Sequence, residues 1–342
     1  MYKRQAYISV ESSIGDNFEF TAGVRQEEGL QQVNTYDLFS GVDSLIDKSI
    51  EEDYQLPSMT LTYLPEFDEN LQIRLGASQT IARPTFRELS PTLFIDVDTD
   101  RVIAGSLYLE NSEIDNIDLR LEYYFGFNQF FTAGIFSKEI LNPIEETVNE
   151  SGDLIITSYQ NVPLAEINGF EIEYEQVFEA IMDSPNDLLV KFNYTETESE
   201  VIVNPGDTYI NSIGTVVDAQ SLLANGRDTR LQGQSDTIAN FQIGLDNLQN
   251  QTQATLIVNY VSDRVRARGI DVLPDIIEEP PLLVDFAFSK IYSYPEFELK
   301  LSLELRNLLD EEYYASMRNI AIYDQYDLGT VSYTHLRAHE TI

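Results

Sequence analysis

The chain has no cysteine and no tryptophan, and only two of its 342 residues are histidine. Without cysteine there is no disulfide, no thiolate zinc site and no cysteine nucleophile, and no redox chemistry is implied. Basic residues are also scarce: 21 Lys and Arg stand against 58 Asp and Glu, a formal net charge of -37. Phosphate would be repelled, so nucleic acid is excluded as a partner, and partners should be cationic, neutral or metal-bridged. There is no apolar run of about 18 residues, which excludes a membrane-spanning helix. The opening MYKRQAYISV lacks the apolar core of a signal peptide, so in an exported protein the true beginning is expected upstream.

What is present argues for a folded chain. Hydrophobic residues make up 43% of it, with 20 Tyr and 18 Phe, so its acidity is not that of a disordered tail. The dominant pattern is two-residue alternation in segments of about ten residues, as expected of strands with one face on lipid and the other on a polar lumen. Phe297, Leu299, Leu301, Leu303 and Leu305 alternate with Glu298, Lys300, Ser302, Glu304 and Arg306. Leu71, Ile73, Leu75 and Ala77 alternate with Gln72, Arg74, Gly76 and Ser78, and Ile117 to Phe125 alternate with Asp118, Arg120, Glu122 and Tyr124. Thr252, Ala254, Leu256, Val258 and Tyr260 form another apolar face, and Phe18, Phe20, Ala22 and Val24 a fifth.

The connections alternate between short and long. Short polar turns fall at Gly15-Asp16, Phe67 to Asn70, Gly126 to Gln129, Asp183 to Asn186, Asn247 to Gln251 and Ser293 to Glu296, each closing a hairpin. Residues 27–56, 82–114, 139–166, 199–233 and 262–280 are expected to be long outward loops. Six hairpins predict about twelve strands of an all-β, transmembrane antiparallel β-barrel, left open at its end because nothing after Leu309 supplies a returning strand. Tyr63, Phe67, Tyr123, Tyr124, Phe125, Phe127, Phe130, Phe131, Phe178, Tyr292 and Tyr294 cluster beside the short turns, where an interfacial girdle belongs.

From Leu56 the stretch LPSMTLTYLPEFDENLQIRLGASQTIARPTFRELSP resembles the barrel region of TonB-dependent outer-membrane receptors. EIDNIDLRLEYYFG with FFTAGIFSKEILNPIEE, AEINGFEIEYEQ, RLQGQSDTIANFQIGL and LELRNLLDEEYYAS are similar to later family segments in the same order, over most of residues 56–320. The family's Gly-Asn-Pro-x-Leu-x-Pro-Glu element is replaced by AGSLYLENSEIDN, so that turn is expected to differ in shape. The resemblance implies a barrel of about 22 strands, of which these are strands 10 to 21. It further implies an N-terminal plug, an inner-membrane energy complex of the TonB type, outer-membrane lipid as the surrounding medium and a small-molecule or chelate substrate. Plug, first nine strands and last strand are expected outside this sequence.

Both histidines, His335 and His339, lie in a tail, VSYTHLRAHET, that resembles the translation of a transposase end used in preparing sequencing libraries. The head, MYKRQ, matches the reverse complement of the same end in a shifted frame. Residues 1–5 and 331–342 are therefore expected to be adapter-derived, leaving 6–330 as the barrel fragment.

The remaining chemistry is sparse. No nucleophile or phosphate-loop motif is present, so no catalytic residue is assigned, an enzyme is not expected, and neither a cofactor nor a bound metal is assigned. Glu145-Glu146, Glu171, Glu173 and Glu175 are read as solvated lumen positions rather than acid–base catalysts. Asp96, Asp98 and Asp100 resemble hard-cation ligands but lack the calcium-loop pattern, and a solvated loop is preferred. Arg74, Arg120, Glu122, Glu171, Glu173, Lys300 and Glu304 are the candidate lumen charges, with structural pairing preferred to ligand contact. Arg83, Pro84, Phe86, Glu88 and Leu89 form a rim motif whose proline ends ladder pairing and steers the loop. The expected function is energy-coupled uptake of a scarce nutrient, with an iron–siderophore chelate as default cargo and cobalamin or oligosaccharide as alternatives. A passive porin would show the same alternation. The leucine-rich faces of 71–77 and 297–305 argue against a soluble adhesin.

Overall fold

The computed structural model describes residues 2–37, 44–95, 101–151, 154–179, 185–270, 273–318, 325–327 and 336–341. Six antiparallel hairpins follow one another along the chain. β1 (Tyr2–Ile14) and β2 (Phe18–Asp37) form the first, β3 (Ser44–Tyr63) and β4 (Leu71–Ala82) the second. A short helix, α1 (Phe86–Leu89), and the two-residue strands β5 (Phe94–Ile95) and β6 (Val102–Ile103) precede the third, β7 (Ser112–Gly126) and β8 (Gln129–Leu141). β9 (Ile144–Ser151) and β10 (Leu154–Asn161) lie before the fourth, β11 (Leu164–Phe178) and β12 (Asp187–Ile202). β13 (Thr208–Ile210), β14 (Val216–Asp218) and a 3-10 segment, Ala219–Gly226, lead to the fifth, β15 (Thr237–Asn247) and β16 (Thr252–Val261). β17 (Arg264–Gly269) and β18 (Ile276–Glu279) separate this from the sixth, β19 (Leu283–Ser293) and β20 (Glu298–Leu305). β21 (Tyr314–Arg318), β22 (Gln325–Asp327) and β23 (Leu336–Thr341) complete the chain.

The twelve hairpin strands pair in sequence order into one antiparallel wall, which β23 extends to thirteen strands. Among the described residues the short turns sit on one side of it and the long connections on the other. The alternation seen in the sequence becomes two kinds of cross-strand row. Phe18, Tyr63, Ile73, Leu121, Ala133, Ile172 and Tyr194 are successive register partners. One residue along, Gln72, Glu122, Thr132, Glu173, Asn193, Asn240 and Asn259 form the neighbouring row on the opposite face. A one-residue slip would exchange the two sets, so the contrast between lipid and lumen holds the register. On the apolar face Ile8, Ile117 and Ile135 are 58–68% exposed, which water would not tolerate over so wide a band and acyl chains do.

Two departures from expectation concern the wall. The stretch 27–56 is not a free loop: β2 and β3 stay in register from Phe18↔Tyr63 to Asp37↔Ser44, so the hairpin projects well past the apolar band. Polar residues on both faces hid it, because alternation is visible only where two solvents differ. The segment after Leu309 also returns to the wall, as β23 pairs Leu336–Thr341 with β20. An open ladder edge offers unpaired N–H and C=O groups to any extended segment.

A third departure lies on the long-loop side. Segments from four connections join in an eight-stranded sheet, β22-β21-β18-β17-β9-β10-β6-β5, including parallel pairs β9–β17 and β6–β10. One buried apolar cluster sits in this sheet, and another forms where the loop ends of β11 and β12 meet β13 and the 3-10 segment. Val148, Ala267, Ile276, Ala315 and Met317 form the first, and Val162, Ala165, Val201, Tyr209, Ala219 and Leu222 the second.

Candidate functional site

The lumen charges fall into one group and two outliers. β4 and β7 set Arg74 directly opposite Arg120, and like charges so placed need carboxylates between them. Glu122 supplies one: it is nearly buried and lies 3.4 Å from Arg74 and 3.5 Å from Arg120. The Tyr124 hydroxyl donates to it at 2.8 Å. Arg120 also reaches Glu173 at 3.5 Å and Glu171 at 3.9 Å on β11, and donates to Thr132. Glu171 and Glu173 remain 44% and 45% exposed, so each keeps acceptor capacity toward the lumen. Lys300 and Glu304 lie apart on β20, where Glu304 pairs with Arg306 at 3.3 Å. Sequence spacing did not reveal the amide ladder beyond this group, in which Asn259 donates to Asn240 and Asn240 to Asn193, both at 2.6 Å.

The short-turn side carries the aromatics. Phe18–Tyr63, Phe125–Tyr174 and Tyr294–Phe297 have ring centroids 4.9, 6.0 and 4.7 Å apart. Two of the expected girdle residues belong elsewhere: Tyr124 and Phe130 are register partners on the lumen face, because alternation sends every second aromatic inward.

The rim motif is a folded corner. Arg83 pairs with Glu27 on β2, and the Pro84 carbonyl accepts from Gln31 at 2.7 Å. Thr85 and Glu88 cap each other around α1, with Thr85 N–H donating to the Glu88 carboxylate at 2.6 Å and Glu88 N–H to Thr85 Oγ1 at 3.3 Å, a capping box. Leu89 is buried with Ile50 and Leu109, whereas Phe86 is exposed. Gly105 closes the corner, since a Cβ there would come within 2.4 Å of the Ser90 carbonyl oxygen. Asp96, Asp98 and Asp100 lie outside the described residues.

Glu145 and Glu146 are not lumen positions. Glu145 and Arg268 are both fully buried in the loop sheet, joined by two contacts of 2.5 and 2.9 Å. Arg268 also donates to the carbonyls of Asp228 and Arg230, so every face of its guanidinium is used, as burial of a charge requires. Glu146 takes Arg101 at 2.7 Å and Arg266 at 2.9 Å. Arg230 bridges Asp228, Asp236 and Asp263 at 2.7, 3.3 and 2.9 Å. Burial alone would raise the Asp228 carboxyl, but the Arg230 hydrogen bonds outweigh it and hold it below the ordinary carboxylate range. Burial pushes Asp275 the other way, above that range, in spite of Arg268 and the Gly269 N–H. The pairing was invisible in sequence because Glu145 and Arg268 are 123 residues apart.

Among the described residues no group of three or more His, Cys, Asp or Glu is arranged to hold a metal ion. A concavity of about 470 Å³ is lined by Ile73, Leu119, Leu121, Ile135 and Phe170 on the apolar face; it belongs with lipid, not with the charged residues.

A lipid-facing wall with a polar inner face and a folded long-loop side defines an outer-membrane β-barrel. The β-barrel model of TonB dependent receptor-like proteins matches residues 2–308, and the chain belongs to that family. No curated protein sequence matches significantly. Among solved structures, the siderophore receptor PiuA from Acinetobacter baumannii is similar with a TM-score of 0.62 at 14% identity, over 99% of this chain and 42% of that one. The ferric-catecholate import receptor Fiu from K12 E. coli gives 0.61 at 13%, over 91% and 41%, and the copper transporter OprC gives 0.60 at 14%, over 98% and 46%. At such identity the likeness is one of fold, and this chain spans less than half the length of each.

Proposed function

We propose that the chain forms wall and mouth of an energy-coupled outer-membrane importer. The observation that carries this is the folded long-loop side: an eight-stranded sheet with its own apolar cluster and buried ion pairs. A passive pore needs no such structure, whereas a receptor must present a defined surface to its cargo. The partners are a plug domain in the lumen and a TonB-type energy complex, and Arg120 with Glu171 and Glu173 is proposed as wall surface for the plug. The default cargo is an iron–siderophore chelate, the class named for two of the similar structures; cobalamin and oligosaccharide are the alternatives. Deleting the complete gene is expected to abolish uptake of one of these when radiolabelled cargo is followed into cells. A complete gene without a plug domain, or a deletion that leaves uptake of all three intact, overturns the reading.

The adapter origin of residues 1–5 and 331–342 is part of the same proposal. Nucleotide sequence across both ends of the intact gene tests it, and authentic coding sequence continuing through those positions overturns it.

A further inference from the structure

A cleft of about 230 Å³ opens among three long connections, lined by Tyr108, Glu110, Asn142, Asn161, Thr208 and Tyr209 together with Val162, Pro163 and Ile210. Its floor is firm, because Tyr209 and Val162 belong to a buried apolar cluster. One wall is the Tyr108 ring, which lies against Gly214. That glycine has φ +84°, and a Cβ on it would come 2.5 Å from the ring Cζ and hydroxyl, so only glycine lets the ring sit there. Tyr108 as a whole is still 41% exposed. The rim is Glu110, whose main chain is clamped by Asn161: its N–H donates to Oδ1 at 2.9 Å and its carbonyl accepts from Nδ2 at 3.1 Å. The Asn161 amide also donates to the Asn142 carbonyl at 2.7 Å. This fixes the backbone and leaves the Glu110 carboxylate exposed, with no cationic partner among the described residues.

The surrounding charge sets the sign of the ligand. The long stretches 27–56, 82–114, 139–166, 199–233 and 262–280 contain 29 acidic residues and nine basic ones. Six of those nine, Arg83, Arg101, Arg230, Arg264, Arg266 and Arg268, are engaged in ion pairs. None of the cleft residues is basic. Most of the guanidinium groups that would receive an anion are thus already paired with carboxylates, while other carboxylates remain in solvent and a cation is drawn in.

We propose that this cleft binds an alkylammonium head group, with the Tyr108 ring face and the Glu110 carboxylate as its partners. An aromatic ring and a carboxylate lining one cleft are the groups that recognise quaternary ammonium, through cation–π and ion-pair attraction. The volume fits such a head group and not a whole metal chelate, so the site would read one charged substituent of a larger cargo. The outward position rests on the proposed function, but binding to purified protein is read without any uptake.

The test is saturation-transfer NMR on the purified full-length receptor in uncharged detergent, with choline as probe and its neutral isostere 3,3-dimethylbutan-1-ol as control. Choline is expected to bind at least about fivefold more tightly than the isostere, and to weaken as salt is raised. Glu110→Gln should lessen that preference, the Tyr108 ring keeping part of it. Tyr108→Leu should weaken choline about fivefold while Tyr108→Phe retains it. Glu110 is exposed, so its variant keeps the fold, which heat-modifiable mobility of the barrel confirms. Equal binding of both probes, no binding of choline, or an unchanged preference in Glu110→Gln overturns the proposal. Loss of uptake reading alone, with choline binding intact, overturns the transport function and leaves the cleft standing.

Discussion

The wall and the loop sheet are built from the same antiparallel ladders, yet they distribute charge in opposite ways. In the wall, apolar side chains are the exposed ones and charges stay half-solvated on the inner face: Ile117 is 58% exposed, and Arg120 36%. In the loop sheet the most deeply buried side chains include an arginine and a glutamate, Arg268 and Glu145, both at 0%. The wall meets lipid outside, so exposing Leu and Ile there costs nothing, and its lumen hydrates charge. The loop sheet meets water, so burial must be built inside it, from small apolar clusters and from charges that are fully paired. Solvent, more than strand pattern, decides where each residue type goes.

The largest effect should come from breaking the buried pair. Glu145→Gln leaves Arg268 charged and buried, which costs about 3–5 kcal/mol. Hydrogen exchange in the full-length receptor should show amides of 144–151, 227–236 and 264–269 losing protection together while the wall stays protected. Replacing both partners sharpens the point: Glu145→Leu with Arg268→Met should recover most of the loss, since a well-packed apolar pair avoids the desolvation penalty. Equal loss in single and double variants would mean that the pair holds the loops by hydrogen bonds to Asp228 and Arg230 rather than by charge.

Next in size is a charge on the lipid face. Leu119→Arg places a guanidinium against acyl chains, at about 2–4 kcal/mol near the midplane. Urea unfolding in lipid vesicles measures it. The same arginine one residue along, at Asp118, faces the lumen and should cost far less; equal penalties would contradict the assignment of faces.

Acid should loosen the loop sheet before the wall. The Asp228 pKa is lowered in the folded chain, so its stabilisation is complete above about pH 4, the ordinary aspartate value, and is lost as pH falls through the depressed one. Asp275 has the opposite sign: its pKa is raised, so its contribution is present below the ordinary value and lost as pH rises through the raised one. Proteolysis of the 227–236 segment should therefore accelerate as pH falls below the ordinary aspartate value, and Asp228→Asn should flatten that profile. A profile that stays steep in Asp228→Asn assigns the acid response to other carboxylates.

The same contrast explains what was legible in the sequence. Six hairpins and their faces could be read because alternation is local and lipid enforces it: Leu71 to Ala77 and Phe297 to Leu305 show their faces without any partner. The long β2–β3 extension was missed, since past the apolar band Glu27, Glu28, Gln31 and Gln32 are polar on both faces. The loop sheet was missed altogether. Its strands are short, and its defining pair spans 123 residues; no pattern within one segment reports such a contact. Alternation puts Arg74, Arg120, Glu122, Glu171 and Glu173 on one face in sequence, but only register could show that they converge while Lys300 and Glu304 lie apart.

That convergence gives the smallest expected effect. Arg120 touches Glu122, Glu171 and Glu173 at 3.5 to 3.9 Å with a third of its side chain in solvent, so Arg120→Gln should cost about 0.2–1 kcal/mol in vesicle unfolding. Glu122 is the reason the loss stays small: it is 5% exposed but keeps Arg74 at 3.4 Å and the Tyr124 hydroxyl at 2.8 Å. Removing Arg74 as well takes away its last guanidinium and leaves a nearly buried carboxylate with a single phenol. Arg74→Gln with Arg120→Gln should therefore cost more than the two single losses combined, the sign of a shared partner. Simple additivity would show that lumen water, not the arginines, satisfies Glu122, and would make the inner wall more uniformly hydrated than its packing implies.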